Sequence, residues 1–196
     1  VLLIENDRPG NPNLPIRDSD MERGSVPMTK QEARWTAVNL LDLRATDVVY
    51  DVGAGTGSVS MEMARRVRRG VVYAIERGAE GIALIDRNRK ALGCWNVVPV
   101  EGEAPAAMDG LPTPDAAFVG GSGGALFETL SILKERNPKI RVVVTAVSLE
   151  TLSDAQIALS TLGFEHVAIS QISAVRGRKA DGSTPLTANN PIFLLS

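Results

Sequence analysis

Cysteine and histidine each occur once in these 196 residues, as Cys94 and His166. A lone thiol excludes an intrachain disulfide and a zinc site built from several thiolates, and it suits a reducing cytosol. A single imidazole gives no basis for a histidine-built metal centre, so no metal is expected. No apolar run approaches the roughly 18 residues of a membrane-spanning helix, and no signal peptide is visible. A net charge of −2 offers no bulk attraction to nucleic acid or to an anionic membrane, so neither is expected as a partner. Internal repeats and low-complexity segments are also missing.

What is present is the ordinary composition of a globular chain, 44 % hydrophobic and 22 % charged, in a length that suits one domain with a full α/β core. Residues 1–27, rich in Pro, Asn, Asp and Arg, are expected to form an arm or linker, and 28–196 the domain. A lead of that kind, opening at Val1, fits a chain cut from a longer polypeptide.

From Met28 onward helical and strand patterns alternate. Residues 30–43 read as a helix with Ala37, Val38, Leu40 and Leu41 on its apolar side and Lys30 and Arg34 opposite. Strand 47–51, helix 58–69, strand 71–76, helix 78–92 and a short strand 97–100 follow. Next come strand 115–119, helix 124–136, strand 140–146 and helix 150–162, with Gly70, Gly93 and Gly163 as helix stops. Two further strands, near 166–172 and 191–195, are joined by a Gly/Arg/Asn-rich loop without a helical pattern. That ending makes the last strand antiparallel in an otherwise parallel sheet of seven strands. The organisation is that of the class I S-adenosylmethionine-dependent methyltransferases, a Rossmann-like α/β fold. Arg65, Arg66, Arg68 and Arg69 read as cations complementing a helix C-terminus on a solvated face.

The strand 47–51 runs through Asp51 and Val52 into Gly53-Ala54-Gly55-Thr56-Gly57-Ser58. An apolar run that ends in an acid and opens onto alternating glycines is a buried strand, a tight turn and a helix start. Ser58 stands where a dinucleotide loop has its third glycine, which separates the segment from the pyrophosphate-binding fingerprint. S-adenosylmethionine carries no pyrophosphate; its carboxylate suits the N–H groups of 55–58, and Asp51 either faces its ammonium or braces the loop. Glu76, ending the next apolar run, is placed to accept the ribose hydroxyls. In Glu101-Gly102-Glu103-Ala104-Pro105, the backbone around Ala104 is placed for the adenine edge.

Strand four ends in Val119-Gly120-Gly121-Ser122-Gly123-Gly124, with neither the prolines nor the aromatic of enzymes that methylate a flipped base. A glycine-floored platform removes side chains and exposes N–H groups, which suits a large flat substrate bearing carboxylates. A second candidate is Ala174-Val-Arg176-Gly-Arg178-Lys179, whose cations could bind substrate carboxylates through charge-assisted hydrogen bonds. His166 and Cys94 read as structural or surface residues, and Trp35 and Trp95 as packing residues.

The segments Pro27-Met28-Thr29-Lys30-Gln-Glu32-Ala-Arg34, Asp51 to Gly57, Glu101 to Pro105, Val119 to Gly124, Val144 to Glu150 and Arg176-Gly-Arg178 with Asn190-Pro191 recur in order. Over 28–196 they resemble the decarboxylating C15-methyltransferases of corrin (cobalamin) biosynthesis. Some members of that family stand free and some are the C-terminal half of a C5,15-methyltransferase fusion. The resemblance implies methyl transfer to C15 of a precorrin-6B-like tetrapyrrole with decarboxylation of its C12 acetate. It implies cofactor contacts at Thr29, Gly53 to Gly57, Glu76 and near Ala104, and a cytoplasmic homotetramer. The lead at 1–27 fits covalent fusion to an N-terminal C5-methyltransferase domain. Three other readings stay open on the residues alone: a methyltransferase acting on tRNA or isoaspartate, a cofactor-binding interaction module, and an NAD-dependent oxidoreductase.

Overall fold

The computed structural model describes residues 14–177, 179 and 181–196. Helix α1 (Gln31–Leu40) precedes the sheet, and then strands and helices alternate: β1 (Val48–Val52), α2 (Ser58–Arg66), β2 (Val71–Glu76), α3 (Ala79–Leu92), β3 (Val97–Glu101), β4 (Ala116–Val119), α4 (Leu126–Arg136), β5 (Arg141–Ala146) and α5 (Leu149–Thr161). The chain closes with β6 (Ile169–Ile172), the short strands β7 (Val175–Gly177) and β8 (Leu186–Ala188), and β9 (Ile192–Leu195).

Seven strands form one sheet in the order β3-β2-β1-β4-β5-β9-β6. The β1, β2, β3, β4 and β5 pairings are parallel, and β9 runs antiparallel to both β5 and β6. Both faces are covered, so the central strands are apolar on each side. Val49, Phe118 and Val143 join α1 and α2 in one core, while Tyr50, Val119 and Val144 join α4 and α5 in the other. This is the sheet expected from the sequence, with the last strand antiparallel.

Element ends differ by a few residues: α1 stops at Leu40, β6 starts at Ile169, and α2 stops at Arg66 and leaves Arg68 and Arg69 beyond it. The connection between β6 and β9, expected as a loop without a helical pattern in which a solvated hairpin competes with a ligand-binding role, contains a two-stranded antiparallel hairpin of β7 and β8. Strands this short carry too few alternating residues to show a period.

Arg34 overturns its expected place on the solvated face of α1. It is completely buried, because residues 14–21 fold back over the helix. Arg34 Nη2 donates to the Ile16 carbonyl at 2.6 Å and Nη1 to the Thr29 carbonyl at 2.9 Å. Nη1 also pairs with Asp18 at 3.2 Å. Trp35 Nε1 shares the Ile16 carbonyl at 3.0 Å, and the Ile16 N–H donates to the buried Glu62 at 2.9 Å. Residues 14–27, expected as an arm, are therefore packed onto the domain, with Ile16 in its core; residues 1–13 of that expected arm lie outside the described residues. Arg65 and Arg66 are tethers, donating to the Leu14 carbonyl and to Asn39. Trp95 is 65 % exposed and does not pack as expected, whereas Cys94 is buried. Among the described residues no helix is long and apolar enough to cross a membrane.

Candidate active site

In open parallel sheets, ligands bind beyond the carboxyl ends of the strands, where neighbouring strands lead in opposite directions. Here that point lies between β1 and β4. The turn after β1 and the turn after β4 meet there: a Cβ on Gly53 would stand 2.3 Å from the carbonyl oxygen of Gly121. Gly53 also has φ +72°, a conformation other residues adopt only under strain. The N–H groups of Gly53 and Ala54 both donate to the Ile75 carbonyl at 3.0 Å, which pins the turn to the end of β2.

Glu76 is fixed in the same way. Its carboxylate accepts the Gly55 N–H at 2.8 Å and the Gly78 N–H at 2.7 Å. A carboxylate has about four acceptor positions, so two stay open. Asp51 lies behind the turn, almost fully buried, where Ser60 Oγ donates to its Oδ2. Burial pushes its pKa up to about 7, against the opposing pull of the Ser60 hydrogen bonds. Its other oxygen, Oδ1, has no partner among the described residues.

The two turns and Glu76 border a cavity of about 930 Å³. That is near the upper end of the roughly 300–1,000 Å³ typical of small-molecule sites. Its wall includes Thr29, Gly53, Ala54, Gly55, Glu76, Glu103, Ala104 and all of Gly120, Gly121, Ser122 and Gly123. Asp51, Thr56 and Gly57 do not border it. They brace the turn from behind: the Thr56 carbonyl accepts Asn88 Nδ2 at 2.9 Å, and Gly57 lies against Ile85. Of the two roles open to Asp51, the geometry favours bracing.

The segment from Gly120 to Gly123 carries a side chain only at Ser122, and its N–H groups are only partly available. Gly120 and Gly121 both donate to the Val52 carbonyl, at 2.9 and 3.3 Å. Among the described residues, the N–H groups without a backbone partner start at Ser122. Glu103 pairs with Arg77 at 2.8 Å, and its carboxylate occupies the space a side chain at Gly123 would need.

Arg176 is not on the cavity wall. Its Nε donates to Glu32 Oε1 at 2.9 Å and its Nη1 to Asp18 Oδ2 at 2.9 Å, with Nη2 also on Glu32. A guanidinium so engaged ties the hairpin to α1 and leaves little for a substrate carboxylate; Arg176 in turn holds the Glu32 carboxyl below its usual range. Arg178 lies outside the described residues. Ser58, read in the sequence as part of the helix start, is on the wall, and the cavity also gathers residues without a site role in the sequence reading, namely Lys30, Glu32, Thr145, Asn189 and Asn190. Lys30 and Asn190 sat inside recognisable segments, but nothing in a single sequence says which members of a segment face a cavity.

The donor set fits S-adenosylmethionine. Glu76 has lone pairs open toward the cavity for ribose hydroxyls, the glycine turn admits close backbone approach, and Ala104 adds a small apolar wall.

This fold and this site define an S-adenosylmethionine-dependent methyltransferase of class I. Residues 22–194 match the precorrin methyltransferase domain, and the chain belongs to that family. It is 43 % identical over 181 residues, 91 % of this chain and 93 % of the relative, to a Methanothermobacter thermautotrophicus protein described as a probable cobalt-precorrin-6B C(15)-methyltransferase (decarboxylating). Among solved structures it resembles the precorrin 8W decarboxylase of Methanobacterium thermoautotrophicum, with TM-score 0.86, 41 % identity and coverage of 92 % of this chain and 97 % of that one. It also resembles a precorrin-6y C5,15-methyltransferase from Geobacter metallireducens, with TM-score 0.85, 31 % identity and coverage of 92 % and 95 %.

Proposed function

We propose that this protein methylates C15 of a precorrin-6B-type tetrapyrrole and removes CO₂ from its C12 acetate. The observation that carries this reading is the 43 % identity, over 91 % of the chain, to a relative whose name includes both the C15 position and decarboxylation. The cavity supports it: the wall from Gly120 to Gly123, where a flat macrocycle would lie, carries no side chain but that of Ser122, and the volume of about 930 Å³ accommodates more than a cofactor.

Bound S-adenosylmethionine supplies an electrophilic methyl group on a sulfonium. Glu76 would hold the ribose, and Ala104 with Glu103 would border the adenine. The turn from Gly53 to Gly55 would admit the methionine end by close backbone approach; its own N–H groups, expected to meet the carboxylate at Gly55, are already donated to Ile75 and Glu76. Gly120 to Gly123 support the macrocycle, with N–H groups from Ser122 onward facing its polar edge. Because the electron pair left by CO₂ can enter the conjugated ring, the residues of this chain act by holding the acetate edge and the methyl donor together and keeping water from both.

A homotetramer, the cytosol and, in a longer chain, an N-terminal C5-methyltransferase partner belong to the same proposal. Val175 and Leu186, exposed on the hairpin, give an assembly apolar surface to cover, and sedimentation at the tetramer mass is the expected result.

The test of function is stoichiometric. Incubation with precorrin-6B should release CO₂ and S-adenosylhomocysteine in equal amounts. Demethylated cofactor without CO₂ would overturn the decarboxylating reading.

A further inference from the structure

Among the described residues two cations border this cavity, Arg77 and Lys30. Arg77, on its wall, is paired with Glu103 at 2.8 Å. Arg176 is held by Glu32 and Asp18, and Arg34 by Asp18 and backbone carbonyls. Lys30 is the exception: it is half-buried on the cavity wall and has no ion-pair or side-chain hydrogen-bond partner among the described residues. A lysine on the wall of a cavity without a counter-ion is available to an anionic ligand that enters it.

Its place along the chain indicates which anion. Three residues earlier, the Pro27 carbonyl lies 3.2 Å from where a Cβ on Gly55 would be, over the cofactor turn. Two residues later, Glu32 is gripped by Arg176 of β7. The chain thus crosses from the cofactor turn toward the hairpin, with Lys30 between. Lys30 also immediately precedes α1, and no side chain caps that helix, so the positive end of its dipole adds to the same field.

We propose that Lys30 is a substrate-binding residue that receives a peripheral carboxylate of the tetrapyrrole and so sets the macrocycle's orientation over the platform. The inference rests on the functional reading above, and it assigns to Lys30 the recognition that Arg176 cannot supply while bound to Glu32 and Asp18.

The experiment compares wild type, Lys30→Met and Lys30→Arg. Lys30→Met should raise KM for precorrin-6B about tenfold or more with kcat little changed. Lys30→Arg should recover most of that loss, which a merely structural role would not predict. S-adenosylmethionine affinity, measured by calorimetry, should stay within about twofold in both variants; a parallel tenfold loss would assign Lys30 to the cofactor's carboxylate and overturn the proposal. Binding of uroporphyrin, a tetrapyrrole octacarboxylate, gives an arm independent of turnover and should weaken in Lys30→Met. Wild type that binds uroporphyrin in a Lys30-dependent way without turning over precorrin-6B defeats the proposed reaction and keeps Lys30. Turnover with KM and uroporphyrin binding unchanged in Lys30→Met defeats Lys30 and keeps the reaction. If wild type neither binds nor turns over a tetrapyrrole, both fall.

Discussion

Gly53 and Gly121 meet backbone to backbone, so closely that a methyl on Gly53 would stand 2.3 Å from the Gly121 carbonyl oxygen. This contact joins the turn after β1 to the turn after β4, the proposed cofactor and substrate sides of the cavity. The two glycines are not equivalent. Gly53 has φ +72°, whereas Gly121 has no positive φ and open space where its Cβ would be. Gly53→Ala should cost about 2–5 kcal/mol of stability, from backbone strain and overpacking, and abolish measurable cofactor binding. Gly121→Ala should fold with near wild-type stability and lose substrate turnover instead. Thermal unfolding with calorimetric titration of S-adenosylmethionine checks both; equal destabilisation would show that the contact is not one-sided.

Glu76 accepts two backbone N–H groups while facing the cavity. Glu76→Gln replaces one acceptor oxygen with a donor that opposes Gly55 or Gly78. Cofactor affinity should fall by about 10–100-fold, the value of one or two charge-assisted hydrogen bonds. An unchanged dissociation constant would remove Glu76 from the ribose site.

Asp51 carries a pH signature. Burial raises its pKa from 3.8 to about 7, so between those values the folded protein holds a proton that the unfolded chain has released. Its contribution to stability is therefore full below about pH 4, declines as pH rises through the window and levels off above about pH 7. Asp51→Asn, which keeps an acceptor for Ser60 Oγ, removes that decline. Urea denaturation without cofactor at pH 5 and pH 8 should show the variant gaining on wild type at the higher pH. Parallel behaviour would place an ionised Asp51 in the fold throughout.

Arg176 joins β7 to α1 through Glu32 and to the segment before α1 through Asp18. Ion pairs with this much exposure contribute only about 0–1 kcal/mol each. Arg176→Ala should leave the melting temperature almost unchanged while loosening the hairpin wall of the cavity. If both steps use one bound pose, CO₂ release and methyl transfer should fall together, and high salt should reproduce part of the loss in wild type. Methyl transfer lost with CO₂ release intact would separate the two steps.

Much of this architecture was legible in the residues. Asp51 to Gly57 announced a strand, turn and helix because only glycine tolerates the positive φ and close approach required there. Glu76 followed at the end of the next strand, and Gly93 and Gly163 ended α3 and α5 in left-handed conformations. What escaped the sequence depends on contacts distant along the chain. Arg34 looked solvated because nothing local shows that Ile16 and Asp18 return to cover it. The reach of Arg176 to Glu32 spans 144 positions, so its charge looked available to a ligand. Lys30 drew no role for a related reason: a lysine on the polar side of a helix looks like surface until the charges around it are found already paired.

The central claim is that one cavity performs methylation and decarboxylation on a tetrapyrrole. Mass spectrometry of precorrin-6B after incubation with this chain and S-adenosylmethionine, with NMR to locate the new methyl, tests it most directly. The account predicts a product that has gained one methyl at C15 and lost one CO₂ from the C12 acetate. An unaltered tetrapyrrole, with cofactor binding shown separately, would contradict it, as would a methyl gained with the acetate intact.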